Sequence, residues 1–262
     1  MSFRLLAACV VLALCAACSE PRLGVKIPFV ATWAGQAIDC EGDGLALSDL
    51  RFFVYDIELV DTSGKLQPVL LDEQFQWQQG GLALIDLENA KGRCKNGSAE
   101  VHSYLVGSVP PGDYLGLKFT VGVPFEQNHA NPLTAPAPLD IAAMHWHWRS
   151  GYKFLRAGVN NGSDGFWIHV GSAGCEGTVR NITGCSFPNR VAVNLPEFRL
   201  RHRKVNIELA ALFGTANFED EMREDCSSGP SEVACIAPFR ALGIEFESGE
   251  TVADQQVFSI SQ

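Results

Sequence analysis

The chain has 262 residues, of which 47% are hydrophobic and 19% are charged. This balance excludes a disordered chain, a coiled coil and a collagen-like repeat. Its 20 Lys and Arg against 30 Asp and Glu give a formal net charge of −10, so phosphate backbones repel it and we expect no nucleic-acid partner. A chain longer than 200 residues still suits a single all-β domain.

The first 17 residues have the pattern of an export signal. Arg4 is followed by an apolar run that ends at Ala17, which is shorter than the roughly 20 residues that a membrane-spanning helix needs. Small residues before Cys18 resemble a bacterial lipoprotein signal, in which Cys18 is lipidated and becomes the new N-terminus. The alternative is an ordinary secretory signal cut near Ala17. We therefore expect a signal peptide at 1–17 and one metal-binding domain at 18–262, anchored in the periplasm or, because Ser19 follows the cysteine, at the outer membrane.

Six cysteines follow the expected signal: Cys40, Cys94, Cys175, Cys185, Cys226 and Cys235. An even number in an oxidising compartment predicts three disulfides, although six cysteines allow 15 pairings. The short spacings favour local Cys175–Cys185 and Cys226–Cys235 pairs, and Cys40 and Cys94 would then close a longer loop. None forms a C-x-x-C motif, which disfavours a zinc ribbon or thioredoxin chemistry.

Strand-like runs recur between Gly, Pro, Asn and Asp residues along the chain. In chain order we predict strands at Val25–Trp33, Arg51–Val60, Leu82–Leu87, Tyr114–Val121, Tyr152–Ala157, Phe166–Val170, Val191–Leu195, Lys204–Leu212 and Leu242–Phe246. Within the second run, alternation places Phe53, Tyr55, Ile57 and Leu59 on one face. A short helix is expected at Leu139–Met144. The pattern predicts an all-β fold, an antiparallel β-sandwich with long decorated loops, stapled by disulfides.

Residues suited to binding copper are concentrated between positions 129 and 169. The candidate metal ligands there are His129, Met144, His145, His147 and His169. Imidazole and thioether groups are ligands that copper accepts. If 144–148 is extended, His145 and His147 share one face, while Met144, Trp146 and Trp148 share the other. The alternatives are that the tryptophans line the core and that the histidines pair with carboxylates or are hydrogen-bonded inside the protein.

An ordered series of motifs gives a more specific indication. It comprises Phe53-Val54-x-Asp56, Leu84-Ile85-Asp86, Val123-Pro124-Phe125-Glu126-Gln127-Asn128-His129, Pro138-Leu139, Met144-x-Trp146-x-Trp148-x-x-Gly151-Tyr152-Lys153-Phe154, His169-Val170-Gly171-Ser172-x-Gly174-Cys175 and Cys185-x-x-Pro188-Asn189. The series resembles the periplasmic "metallo-mystery pair" four-cysteine proteins, which are similar to the copper-associated partner protein of methanobactin gene clusters. The resemblance spans nearly all of the expected mature chain.

The resemblance implies that the chain is a protein substrate and not an enzyme. Members of this family are paired with a secreted di-haem, cytochrome c peroxidase-like enzyme that oxidises tryptophan to kynurenine, and the product takes part in copper binding or homeostasis. Trp146 and Trp148 match the family's M-x-W-x-W motif, and His129 and His169 match its histidines. His145 and His147 occupy spacer positions. Copper of unknown oxidation state is the expected cofactor.

Other features leave alternatives open. The basic run at residues 199–204 is a docking patch for the haem enzyme or a solvated start of a strand, and residues 219–225 form a charged loop that lacks EF-hand spacing. Cys226 and Cys235 lie beyond the four-cysteine pattern. No hydrolase or P-loop motif is present. A copper oxidase or oxygenase is a second hypothesis, because residues that could bind copper are present. The alternative function is an adhesion lipoprotein that binds a glycan or a partner without metal.

Overall fold

The computed structural model describes residues 21–73, 76–163, 165–214 and 224–261. The expected signal peptide at 1–17, the lipidation site Cys18 and most of the charged loop at 219–225 therefore lie outside the described residues. Within the described ranges, no helix combines the length and apolar character that crossing a membrane requires.

The described residues form two large sheets, and the first contains six strands. Its main path runs through Phe258–Ser261 (β18), Lys204–Glu208 (β17), Leu23–Trp33 (β1), Tyr104–Val109 (β8) and Leu70–Leu71 (β5), with Gln36–Ala37 (β2) beside β1. β1 pairs in parallel with β17, placing Phe29 opposite Val205, whereas its pairing with β8 is antiparallel. The sandwich is thus mostly antiparallel with one parallel pair, which local sequence patterns could not reveal.

The second sheet contains eight of the described strands and is centred on a long one, Ala46–Asp61 (β3). The others are Leu66–Pro68 (β4), Gln78–Gln79 (β6), Leu82–Asp86 (β7), Tyr114–Val121 (β9), Leu155–Asn160 (β12), Gly165–Val170 (β13) and Val191–Pro196 (β16). Two separate hairpins join His145–His147 (β10) to Gly151–Tyr152 (β11), and Ala173–Thr178 (β14) to Asn181–Phe187 (β15).

Four phenylalanines join the two sheets across the core. Phe29 and Phe258 belong to the first sheet, and Phe52 and Phe119 belong to the second. Each ring of one sheet meets both rings of the other, with centroids 5.6–5.9 Å apart and edge-to-face geometry. Edge-to-face pairs stabilise beyond their buried area, so these contacts fix the sandwich arrangement that the sequence predicts.

The predicted alternation of the second strand is wrong at its middle. Asp56 has a positive φ of 49°, and the register of β3 with β9 shifts between Tyr55 and Glu58. A bulge inserts one residue and changes which side chains share a face. Consequently Ile57 belongs to the main core, whereas Phe53 lies in a smaller cluster.

This smaller cluster supports the segment that carries the candidate site. It consists of Phe53, Leu82, Leu84, Val123, Leu139, Met144, Tyr152 and Phe154. The described helices are short: Phe125–Asn128 (α1), Leu209–Phe213 (α2) and Ile236–Ala241 (α3), with 3-10 turns at Ala142–Met144 and Val233–Cys235. The helix expected at Leu139–Met144 is therefore only the turn Ala142–Met144.

Three other sequence predictions need correction. The run predicted at Lys204–Leu212 changes from strand to helix after Glu208, whose carboxylate accepts a hydrogen bond from Ala210 N–H and caps α2. The strand predicted at Tyr152–Ala157 is interrupted and belongs to two sheets. Leu242–Phe246 follows α3 as turns, with only an isolated bridge at Ile244.

The three disulfides favoured by spacing are present: Cys40–Cys94, Cys175–Cys185 and Cys226–Cys235.

Candidate metal centre

The tryptophan and histidine motif lies on the β10–β11 hairpin, which is held by Asn128. Gly151 has a φ of +76°, and a Cβ there would lie 2.3 Å from the Asn128 carbonyl oxygen, so glycine is required. The buried Asn128 side chain accepts a hydrogen bond from Tyr152 N–H at 3.0 Å. These contacts place the hairpin directly beside the residue that precedes His129.

His129 has one ring nitrogen engaged with the motif. Its Nδ1 lies 3.1 Å from the Trp148 carbonyl oxygen, which can only accept, so Nδ1 carries the proton and Nε2 carries the lone pair. Nε2 lies 3.3 Å from Asn128 Nδ2 and 3.6 Å from Cys185 Sγ. Burial lowers the His129 pKa, and Arg190 adds to this, against the hydrogen bond with Trp148. The imidazole is therefore neutral near pH 7, and the lone pair of its Nε2 accepts a hydrogen bond from the Asn128 amide, which a metal ion would replace.

His145 and His147 differ in their surroundings. The His145 ring packs edge-on against Tyr152 with centroids 4.9 Å apart, and its Nε2 is buried without a hydrogen-bond partner in the described structure. Burial lowers the His145 pKa, with smaller effects from His147, Lys153 and His129. His147 is exposed, and its ring nitrogens contact Arg149 N–H and the Ser150 hydroxyl. Of these two histidines, His145 thus has a buried ring nitrogen without a hydrogen-bond partner, and His147 does not.

Trp146 belongs to the β10–β11 hairpin, and its side chain packs towards β13, the strand that carries His169. A Cβ on Gly171 would come within 2.5 Å of Trp146 Cζ3, so the indole rests directly on that glycine. The Trp146 and His169 ring centroids are 6.4 Å apart with edge-to-face geometry. The structure therefore brings together one tryptophan and one histidine of the family motif.

His169 is held neutral by its surroundings. Burial lowers its pKa to about 3, and the cations of Lys153 and Arg156 add to this effect. Its Nε2 is buried and has no hydrogen-bond partner among the described residues. An uncharged imidazole with an unused nitrogen can accept a metal ion, but here the nitrogen is covered by neighbouring groups.

A cation lies near the ring of each tryptophan in this region. Lys153 Nζ is 5.9 Å from the Trp146 ring centroid, Arg149 lies 5.0 Å from Trp148, and Arg156 lies 5.2 Å from Trp167. These distances are within the range of cation–π attraction. All three indoles are partly exposed, which leaves them accessible to a reactant at the surface.

Sequence reasoning missed the charges beneath these rings. The Ala143 carbonyl accepts hydrogen bonds from Lys153 Nζ at 2.8 Å and Arg156 Nη1 at 3.2 Å. Arg156 Nε also lies 3.0 Å from the buried Asp49 carboxylate. This contact is an ion pair, because its geometry does not meet that of a hydrogen bond. Asp49 is paired with Arg51 as well, and Arg51 Nη1 is 3.6 Å from Glu88. These buried ions anchor the backbone immediately before the motif.

Within the described ranges, no three of the four predicted histidine ligands have ring nitrogens within 4.8 Å of one another. Among the described residues, one group of three His, Cys, Asp or Glu side chains has ligand atoms within 4.8 Å of one another: His129, Cys175 and Cys185. Both sulfurs of that group are joined in a disulfide, so neither offers a thiolate. Met144 is fully buried in the smaller apolar cluster. The nitrogens best suited to a metal are therefore those of His129, His145 and His169.

Comparison with known proteins agrees with the motif series. The sequence model of the MbnP family matches residues 22–228. The chain belongs to the MbnP family. The solved structure of MbnP from Methylosinus trichosporium is similar to it, with a TM-score of 0.80 and 27% sequence identity over 92% of this chain and 98% of that chain. The search of curated proteins found no match to the chain.

Family membership confirms the resemblance found in the sequence and the all-β fold. It associates the protein with the copper-related methanobactin gene clusters, in which this family provides a partner-type protein. The individual roles of the site residues remain predictions.

Proposed function

We propose that this protein is an exported, lipid-anchored copper-binding protein, and that it is the substrate of a di-haem, cytochrome c peroxidase-like enzyme. That enzyme oxidises Trp146, Trp148 or both to kynurenine. The protein itself catalyses no reaction. It acts in copper homeostasis at the periplasmic side of the membrane to which Cys18 attaches it.

The observation that carries this proposal is the position of Trp146. It follows His145 in the chain and its ring contacts that of His169, and both histidines have a buried, unpartnered Nε2. An isolated buried polar atom costs free energy, so two of them beside one accessible indole favour a site that is completed by another group. Neutral imidazole nitrogens suit copper, which supports copper as that group.

Oxidation of the indole would explain how the covered Nε2 atoms of His145 and His169 become able to bind copper. The enzyme would add two oxygen atoms across the C2–C3 bond and break it, with two equivalents of hydrogen peroxide as oxidant and two water molecules released. Hydrolysis of the resulting formyl group then releases formate and leaves an aromatic amine beside a ketone. The indole nitrogen is a poor ligand because its lone pair belongs to the ring system. The amine of kynurenine is a better one, and the opened ring no longer packs on Gly171 as an indole does.

Each predicted ligand has a different level of structural support. His129 offers a neutral Nε2 whose tautomer is set by the Trp148 carbonyl, an arrangement typical of metal-binding histidines. His145 and His169 offer unused nitrogens. His147 would first have to release its contact with Ser150, and Met144 would have to leave an apolar cluster. We therefore assign His129, His145 and His169 as the ligands to test first.

The test is a titration with Cu(I) and Cu(II) of protein made with and without the partner enzyme. We expect tight binding only by the modified protein, and a loss of at least tenfold in affinity in His129→Ala and His169→Ala. His202→Ala is the matched control, because His202 is exposed and is not among the predicted ligands. Unchanged tight binding in both site variants would contradict the assignment.

A further inference from the structure

Basic side chains are concentrated on the surface beside the start of β1, the first described strand. The basic run at 199–204 covers the end of the β16–β17 connection and the first residue of β17, and it lines three cavities of about 530, 370 and 700 Å³. The first also includes Lys26 of β1, and the second includes Leu23 at the start of that strand. We call this surface the basic patch; its cations are Lys26, Arg199, Arg201, Arg203 and Lys204.

The cations of the basic patch are not neutralised by ion pairs. Across the parts of the chain that are described, none of them lies within 4.0 Å of a carboxylate oxygen. Three acidic residues, Asp72, Asp113 and Glu197, line the same cavities, so five cations face three carboxylates. The chain as a whole has a formal net charge of −10. The patch is therefore a local reversal of the protein's charge.

The basic patch lies close to the expected point of membrane attachment. The side chain of Arg22 donates hydrogen bonds to Ser108, which fixes the start of the chain beside β8. Arg22 is the fourth residue after Cys18, and an extended chain spans at most about 3.5 Å per residue, or about 14 Å over these four steps. A lipid on Cys18 would thus enter the bilayer within this distance of the strand that borders the patch.

We propose that the basic patch lies against the anionic phospholipid headgroups of the membrane that holds the lipid anchor. Binding of lysine and arginine to an anionic surface is a short-range effect, because salt screens charges beyond about 8 Å at physiological ionic strength. The acidic residues elsewhere on the protein are therefore screened from the bilayer, while the patch is not. The patch would orient the protein on the membrane. This proposal rests on the lipid attachment in the proposed function, but not on copper.

The experiment uses the mature chain from residue 18 with Cys18→Ser, so that no lipid is attached. Its sedimentation is measured with vesicles of phosphatidylglycerol mixed with phosphatidylcholine, and with vesicles of phosphatidylcholine alone. We expect salt-sensitive binding to the anionic vesicles only. Replacing Arg199, Arg201, Arg203 and Lys204 with Gln should reduce the partition coefficient by about fivefold per contacting cation, and at least tenfold in total.

A control with the same net charge separates the patch from overall charge. It replaces Lys91, Lys95, Arg180 and Arg240 with Gln, which are exposed and line none of the three cavities. This variant should bind the vesicles like the parent chain. Equal vesicle binding by the patch variant and the parent chain would overturn the proposal. So would a patch variant that binds vesicles like the parent chain but no longer binds the purified haem enzyme. Because no copper is used, failure here is distinct from failure of the copper site.

Discussion

The indole of Trp146 rests on Gly171, leaving no space for a side chain at that position: a Cβ would lie 2.5 Å from Trp146 Cζ3 and 2.7 Å from the Tyr152 carbonyl oxygen. Gly171 follows β13, which carries His169, whereas Trp146 lies on the β10–β11 hairpin. This contact therefore joins the two segments that the family motifs place in separate parts of the sequence.

Replacing Gly171 with Ala should displace the Trp146 ring. The added methyl group meets both a ring and a backbone oxygen, so we expect a loss of about 1–3 kcal/mol in unfolding free energy and a changed tryptophan emission spectrum. Gly184→Ala is the control, since a Cβ there has no neighbour within 4 Å. Chemical denaturation followed by fluorescence measures both. Equal stability of the two variants would show that Trp146 is not packed in this way.

The neutral state of His169 predicts a pH dependence of stability. Its pKa is about 3 in the folded protein and about 6.5 when the chain is unfolded. The unfolded state therefore binds more protons between these values, so the contribution of His169 is complete above pH 6.5 and is lost progressively as the pH falls towards 3. Thermal unfolding of His169→Phe should depend less on pH in this window than that of the parent. Identical pH profiles would contradict the assigned environment.

Asp49 should be essential to the stability of the segment beneath the site. Its buried carboxylate pairs with Arg51 and Arg156, and removing it leaves two guanidinium groups with less compensation. We expect Asp49→Ala to cost about 3–5 kcal/mol in unfolding free energy. Asp43→Ala changes an exposed carboxylate and should cost less than about 0.5 kcal/mol. Urea denaturation compares the two, and a small effect at Asp49 would show that these ions are not coupled.

The Cys226–Cys235 disulfide supports the strand of Trp167 and His169. Cys226 N–H donates to the Trp167 carbonyl, and Cys226 O accepts from His169 N–H. The cysteines are nine residues apart, so replacing both with Ala should cost about 2–3 kcal/mol in unfolding free energy, against about 4 kcal/mol for the Cys40–Cys94 pair. Thermal unfolding of the two double variants tests this order. The reverse order would show that strand support outweighs loop closure.

Much of the fold follows from local sequence. Tyr114–Val121 has the predicted bounds because a Pro-Gly-Asp turn precedes an alternating run. The change from strand to helix after Glu208 was missed, since Leu209–Phe213 continues the same apolar run. The bulge at Asp56 was also missed, because a positive φ at a non-glycine residue has no strong sequence signal.

The candidate site was predictable in its motif residues but not in its supporting charges. Trp146 and His169 were found because the motifs name them. The ion network was missed because Arg51 and Arg156 face each other only through the register of β3 with β12, and local alternation does not reveal which strands pair. Arginines inside strands are usually exposed, so the sequence offered no reason to place these two in the interior.

The most direct test of the proposed function is peptide mass spectrometry of protein isolated from its native membrane. We predict that the peptide containing Trp146 or Trp148 carries one carbon replaced by one oxygen, the composition of kynurenine, or two added oxygens, the composition of its formyl precursor. The peptide containing Trp33 serves as the internal control and should be unmodified. Unmodified Trp146 and Trp148 in native protein would contradict the account, while leaving the family and the fold intact.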